Sequence, residues 1–122
     1  SYNANPSSMR AGIDVLAGLA GRRWLAMGDM GELGEHSQAA HVDVGRYARE
    51  RGVERLLATG PLSALAVETF GAGARWFPDA EALTRELDAT LAADVRLLVK
   101  GSRSNRLERV VDALVSGRGQ GN

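Results

Sequence analysis

Residues 97–105 read LLVKGSRSN, and the lysine in this stretch, Lys100, is the only one among 15 basic residues; the other 14 are arginines. Arginine presents a planar fork, whereas lysine is a compact point charge that can follow a carboxylate or phosphate as its position shifts during a reaction. Lys100 stands where an apolar run stops. Gly101 allows a tight turn, and Ser102 to Asn105 lead to a helix start, where free N–H groups favour an anion. Arg103 is placed to add a bidentate contact beside it. A purely structural reading competes: Asn105 with Glu108 has the spacing of a capping box, and Lys100 then pairs with a surface carboxylate.

Two further stretches carry groups that could do chemistry. GDMGELG has the spacing Gly28-x-x-Gly31-x-x-Gly34, which is not the G-x-G-x-x-G dinucleotide fingerprint. Asp29 or Glu32 could hold an ammonium group or position a partner loop; a flexible turn is the alternative. SYNANP sets two short amides, Asn3 and Asn5, beside Tyr2. Amides can bond both edges of a base or ribose, and a tyrosine can stack on a base. The alternative there is an Asn-rich turn leading to an N-cap. His36 and His41 lie five residues apart, a spacing that does not place them one above the other on a helix. They read as a helix-end and a surface histidine.

Composition narrows the class. The formal net charge is zero, whereas a general nucleic-acid binder carries a basic excess on one face. No apolar run approaches the length of a membrane span, and SYNANPSSMR lacks the apolar core of a signal peptide. The absence of cysteine excludes thiolate metal sites and fits a cytoplasmic protein. Two histidines are too few for a His-rich metal centre. The sequence has no G-x-x-x-x-G-K-[ST] phosphate loop, no G-x-S-x-G and no Ser-His-Asp set, so no self-sufficient catalytic machine is visible.

The elements that must position these residues alternate along the chain. Met9, Ile13, Leu16 and Ala20 recur on one helix face over residues 6–20, with Pro6 or Ser7 suited to the first turn. A short strand follows at 24–27, then a helix over about 35–51 with Ala40, Val44, Tyr47 and Ala48 inward. Gly45 inside that helix costs about 1 kcal/mol relative to alanine, which implies close packing. Strands are predicted at 53–59, 74–77 and 95–99. Pro61 opens a helix through Phe70, and Asp79 leads into one with Leu83, Leu87 and Leu91 at four-residue steps. A last helix is predicted over about 106–115, with Leu107, Val110, Val111 and Leu114 inward, and a disordered tail at 117–122.

Strands separated by helices imply right-handed crossovers: an α/β domain with a parallel sheet and helices on both faces. In such sheets ligands bind outside the carboxyl ends of the strands. The loops at that edge are GDMGELG, TGPLS and KGSRSN. SYNANP precedes a helix as these loops do, with no strand before it, so a strand and more protein are expected upstream.

Taken together, SYNANPSSM, LAMGDMGELGEHS, HVDVGRYARERGVERLLATG and LLVKGSRSNRLERVVDAL, in this order and spacing, resemble the C-terminal domain of the Mur ligases over residues 1 to 116. The resemblance implies a three-layer Rossmann-like domain that closes over the active site of a three-domain enzyme. Among the family's members, GDM-x-ELG and VKGSR with SYNANP imply the ligase that adds D-Ala-D-Ala to UDP-N-acetylmuramoyl-tripeptide through an acyl phosphate. ATP and Mg2+ would be held mainly by a central domain, and this domain alone would be inactive. By the same resemblance Tyr2, Asn3 and Asn5 would meet the nucleotide. Lys100, Ser102 and Arg103 would meet the incoming substrate, with Asp29 and Glu32 in the loop at the same edge. SRSNRLER departs from the family's SRG or SRS followed by methionine, but Lys100 to Arg103 are intact. The competing assignment is a stand-alone, non-catalytic α/β domain that binds a nucleotide or small anion.

Overall fold

The alternation of elements is realised in a computed structural model that describes residues 5–31 and 33–101. In chain order these are α1 (Pro6–Ala17), β1 (Arg22–Met27), a 3-10 turn (Gly34–His36), α2 (Ser37–Glu50), β2 (Arg55–Thr59), α3 (Ser63–Phe70), β3 (Ala74–Phe77), α4 (Ala80–Thr90) and β4 (Val95–Lys100). The four strands form one parallel sheet in the order β3-β2-β1-β4. Its register places Met27 opposite both Ala58 and Lys100.

Handedness decides which helix covers which face. The crossovers β1-α2-β2 and β2-α3-β3 step the same way across the sheet, so right-handed connections place α2 and α3 on one face. The return from β3 to β4 steps the opposite way and places α4 on the other. Two cores follow. On the first face Met9, Ile13 and Leu16 of α1 join Leu25 and Met27, Val44 and Ala48 of α2, Leu56 and Ala58, and Ala66 and Phe70 of α3. On the second, Leu83 and Leu87 of α4 close over Trp24, Ala26, Leu57 and Phe77. Gly45 is buried against α3, where any Cβ would overlap the Ala66 backbone; that close approach is the packing its presence in a helix implied.

Several boundaries differ from expectation: β1 begins at Arg22 rather than 24, β2 at Arg55 rather than 53, and α4 ends at Thr90, before Leu91. Helix α1 stops at Ala17, because Gly18 and Leu19 donate to Val15 O (3.1 Å) and Leu16 O (3.0 Å) and tighten the last turn. Ala20 is therefore off the helix and exposed. Pro61 and Leu62 precede α3 rather than belonging to it. The predicted helix over 106–115 and the tail at 117–122 lie outside the described residues.

Candidate functional site

The sheet has a switch point beside β1. From β1 the chain goes one way to β2 and β3 and then returns to β4 on the other side. The crevice between the carboxyl ends of β1 and β4 is where such sheets receive ligands. It is framed by the segment after β1, which begins at Gly28, and by Gly101 after β4. The Gly28 N–H donates to the Lys100 carbonyl at 2.9 Å. Gly101 is buried at φ +150°, and a Cβ there would stand 2.9 Å from Gly28 N and 3.1 Å from its Cα. The two loops meet backbone to backbone, an approach open to glycine alone.

Asp29 turns the other way. Its carboxylate accepts from Leu62 N (3.1 Å), Ser63 N (2.8 Å) and Ser63 Oγ (2.8 Å). These N–H groups open α3 and have no partner inside the helix, and a negative charge suits that end. Gly60, at φ +102°, lies so close that any Cβ would overlap the carboxylate. Of the sequence readings for Asp29, positioning a partner loop is the one this geometry matches: it ties the loop after β1 to the loop after β2.

His41 corrects an expectation. It is a core residue with no exposed surface, not a surface histidine. Nδ1 lies 2.6 Å from the Ser37 carbonyl, and Nε2 accepts from Met30 N at 3.0 Å. A carbonyl only accepts, so the proton is on Nδ1 and the Nε2 lone pair receives the loop amide. Thus Gly28, Asp29 and Met30, three consecutive residues, are bonded to β4, α3 and α2. A sequence signal for His41 existed. His41, Val44, Gly45 and Ala48 fall at i, i+3, i+4 and i+7, and all four are buried. His36, at the start of α2, is exposed as expected.

Lys100 ends β4 on the same face as Leu98, which packs on the α1–α3 core. Its stem runs over α1: a Cβ built at Gly12 would lie 3.4 Å from Lys100 Cε. The residue is half-buried, and no hydrogen bond or ion pair ties its ammonium to the described residues. The surface-carboxylate partner of the structural reading is therefore not among them. Asn5 is the N-cap of α1: its Oδ1 accepts from Ser8 N (2.8 Å), and Ser8 Oγ accepts from Asn5 N (3.0 Å). That is the N-cap alternative, and it leaves the amide nitrogen without a partner among the described residues. Tyr2, Asn3, Glu32, Ser102 and Arg103 lie outside those residues.

The α1–α2 flank is built from paired charges. Arg10 forks onto Asp43 (Nε to Oδ2 3.0 Å, Nη2 to Oδ1 2.7 Å) and lies 4.3 Å from the centre of the Tyr47 ring. Arg46 joins Asp43 at 2.5 Å. Asp14 accepts from the Tyr47 hydroxyl and from Arg51 Nε. The Arg10 hydrogen bond holds Asp43 below the ordinary carboxylate value, and the Tyr47 hydrogen bond does the same for Asp14, each against a partly opposing desolvation. An open groove of about 320 Å³ between β3 and α4 is lined by Arg75, Phe77, Pro78 and Arg85. It lies away from the switch point, and the Arg75–Glu86 pair (3.3 Å) occupies its wall. Among the described residues no group of three or more His, Cys, Asp or Glu could hold a metal ion. No described helix is long and apolar enough to cross a membrane.

A parallel sheet with a switch point where two glycine-bearing loops meet beside a lysine defines a Rossmann-like α/β domain. The chain belongs to the Mur ligase family: the family described as "Mur ligase, glutamate ligase domain" matches residues 1–103. It is 45% identical over 116 residues to the UDP-N-acetylmuramoyl-tripeptide–D-alanyl-D-alanine ligase of Escherichia coli, covering 93% of this chain and 25% of that protein. It is 37% identical over 120 residues to the enzyme of the same name from Synechocystis, covering 95% and 26%. Among solved structures, MurF from Acinetobacter baumannii superposes with a TM-score of 0.82 at 32% identity, covering 95% of this chain and 27% of that one. MurF from Thermotoga maritima, solved in complex with ADP, superposes at 0.79 with 23% identity over 97% and 28%, a likeness of fold. The chain spans about a quarter of the length of the curated relatives it matches.

Proposed function

We propose that this chain is the C-terminal domain, residues 1–116, of an ATP-dependent ligase that joins D-Ala-D-Ala to UDP-N-acetylmuramoyl-tripeptide in peptidoglycan precursor synthesis. The observation that carries this reading is the 45% identity, over nearly the whole chain, to the E. coli enzyme of that name. An amide does not form from a carboxylate and an amine until the carboxyl group is activated. A carboxylate oxygen of the tripeptide attacks the γ-phosphorus of ATP, and ADP leaves. The dipeptide amine then attacks the acyl carbon. The tetrahedral intermediate expels inorganic phosphate, and the amine loses its proton to solvent or a base.

Within that reaction this domain binds and orients. Lys100, with Ser102 and Arg103, faces anionic charge: the dipeptide carboxylate or the nucleotide phosphates. Tyr2, Asn3 and Asn5 meet the nucleotide at the junction with the upstream domains. Asp29 holds the edge in register, and Glu32 of the same loop belongs with it to the proposed substrate-binding set. ATP and Mg2+ are held mainly by the central domain, which would supply the phosphate loop that this sequence lacks. Positioning and charge stabilisation are what a closing domain can contribute. The reaction takes place in the cytoplasm, where nucleotide-linked precursors and ATP meet.

The test is phosphate release from ATP by the full-length enzyme given the UDP-sugar tripeptide and a panel of amines. Release that depends on D-Ala-D-Ala, and not on glutamate or a diamino acid, is expected. Release with one of the other amines would move the chain to another member of the family.

A further inference from the structure

We propose that Gly12 is a positioning residue for Lys100: α1 carries no side chain there so that the lysine stem can lie across the helix and present its ammonium at the switch point. This rests on the function proposed above and adds a residue to it. Gly12 is half-buried in the middle of α1, where glycine is unfavourable relative to alanine because it gives up more backbone freedom on folding. Nothing in the local conformation requires it, since its φ is not in the left-handed region. What limits the side chain at this position is the space above. A Cβ at position 12 would stand 3.1 Å from Leu98 Cδ2 and 3.4 Å from Lys100 Cε. Both contacts come from β4, and Leu98 and Lys100 are successive residues on the same face of that strand.

The two contacts differ in how they yield. Leu98 packs on the core and can give only slightly. Lys100 Cε is near the end of a flexible stem, so the cost of a larger residue falls on the lysine. A methyl group fits with a shift of a few tenths of an ångström. A branched or longer side chain occupies the path of the stem and lifts the ammonium off α1. The lysine has no ion pair among the described residues to draw it back. Among the described residues its place at the sheet edge is set by packing, and Gly12 is part of that packing.

The experiment uses the full-length enzyme with four variants: Gly12→Ala, Gly12→Leu, Lys100→Ala and the Gly12→Leu/Lys100→Ala double variant. Two quantities are read: KM and kcat for D-Ala-D-Ala, and the rate of amine labelling at Lys100 followed by peptide mapping. Gly12→Ala is expected to stay within about threefold of wild type in KM, and Gly12→Leu to raise KM about tenfold or more with a smaller change in kcat. Labelling at Lys100 is expected to quicken in Gly12→Leu and to change little in Gly12→Ala. In the Lys100→Ala background Gly12→Leu is expected to add nothing further. Equal penalties from Gly12→Leu with and without the lysine, or unchanged labelling, would overturn the inference, because a defect of folding alone gives that result. Wild-type KM in Gly12→Leu, with Lys100→Ala impaired, would overturn it while leaving the proposed function standing. Wild-type kinetics in Lys100→Ala would instead overturn the site assignment on which it rests.

Discussion

The carboxyl edge of the sheet and the α1–α2 flank use charge in opposite ways. On the flank, Arg10, Arg46 and Arg51 are all matched to carboxylates, Asp43 and Asp14, on partly exposed surface. At the edge the ties among the described residues are backbone amides, one carboxylate and one buried imidazole, and none of these residues forms an ion pair with Lys100. Gly28, Asp29 and Met30 are bonded to three different elements, yet none of those bonds uses Lys100's ammonium. A surface that only needs holding together can neutralise its charges. A surface that receives an anion, as proposed for this edge, has to be held together by other means.

Breaking the edge should cost more than breaking the flank. Asp29→Ala removes the acceptor of three donors at once, two of which open a helix. We expect it to destabilise the domain by about 3 kcal/mol, since hydrogen bonds to a charged group are the stronger kind and orphaned donors add their desolvation cost. The measurement is the unfolding transition of the full-length enzyme together with hydrogen exchange at Leu62 and Ser63. Unchanged protection there would show that the clamp holds nothing. His41→Leu keeps the volume and deletes both ring nitrogens. A loss of about 2 kcal/mol is expected, with faster exchange at Met30, whose N–H then faces carbon.

The flank offers the contrast. Arg10→Ala should leave the urea midpoint nearly unmoved, because exposed ion pairs contribute little in water. The same region sets a pH dependence whose sign is fixed. Asp43 and Asp14 have folded values held below the ordinary 3.8 by Arg10 and Tyr47 respectively. Their contribution is therefore complete above the unfolded value of about 4 and is lost as pH falls through it to the lower folded value. Urea midpoints in the range just above and below pH 4 should show that decline. In Asp43→Asn it should be shallower, and an identical slope would remove Asp43 from the account.

Most of the fold was legible because it is periodic. Leu83 and Leu87 at a four-residue step, the apolar run that becomes β4, and glycines at segment ends gave the α/β alternation. The parts that were not legible depend on groups remote in sequence. Asp29 and Ser63 are 34 residues apart, and no local pattern announces a carboxylate that caps a distant helix. His41 reads as a surface histidine from its five-residue spacing to His36, whereas its place in the stripe with Val44, Gly45 and Ala48 points inward. The choice of Ala20 as the last α1 contact failed because the turn at Gly18 and Leu19 ends the helix first. Lys100 stood out by its type alone; that its stem crosses α1 at Gly12 is a fact of packing.

The most direct test of the central claim is the D-Ala-D-Ala dependence of phosphate release by full-length Lys100→Arg enzyme, with its unfolding transition measured alongside. A planar fork in place of a point charge keeps the sign and changes the reach. The account predicts a fall in kcat/KM for the dipeptide of about tenfold, or about 1.4 kcal/mol, with the unfolding transition unmoved. Wild-type kinetics in that variant would contradict it, and Lys100 would then face no anion in the closed enzyme.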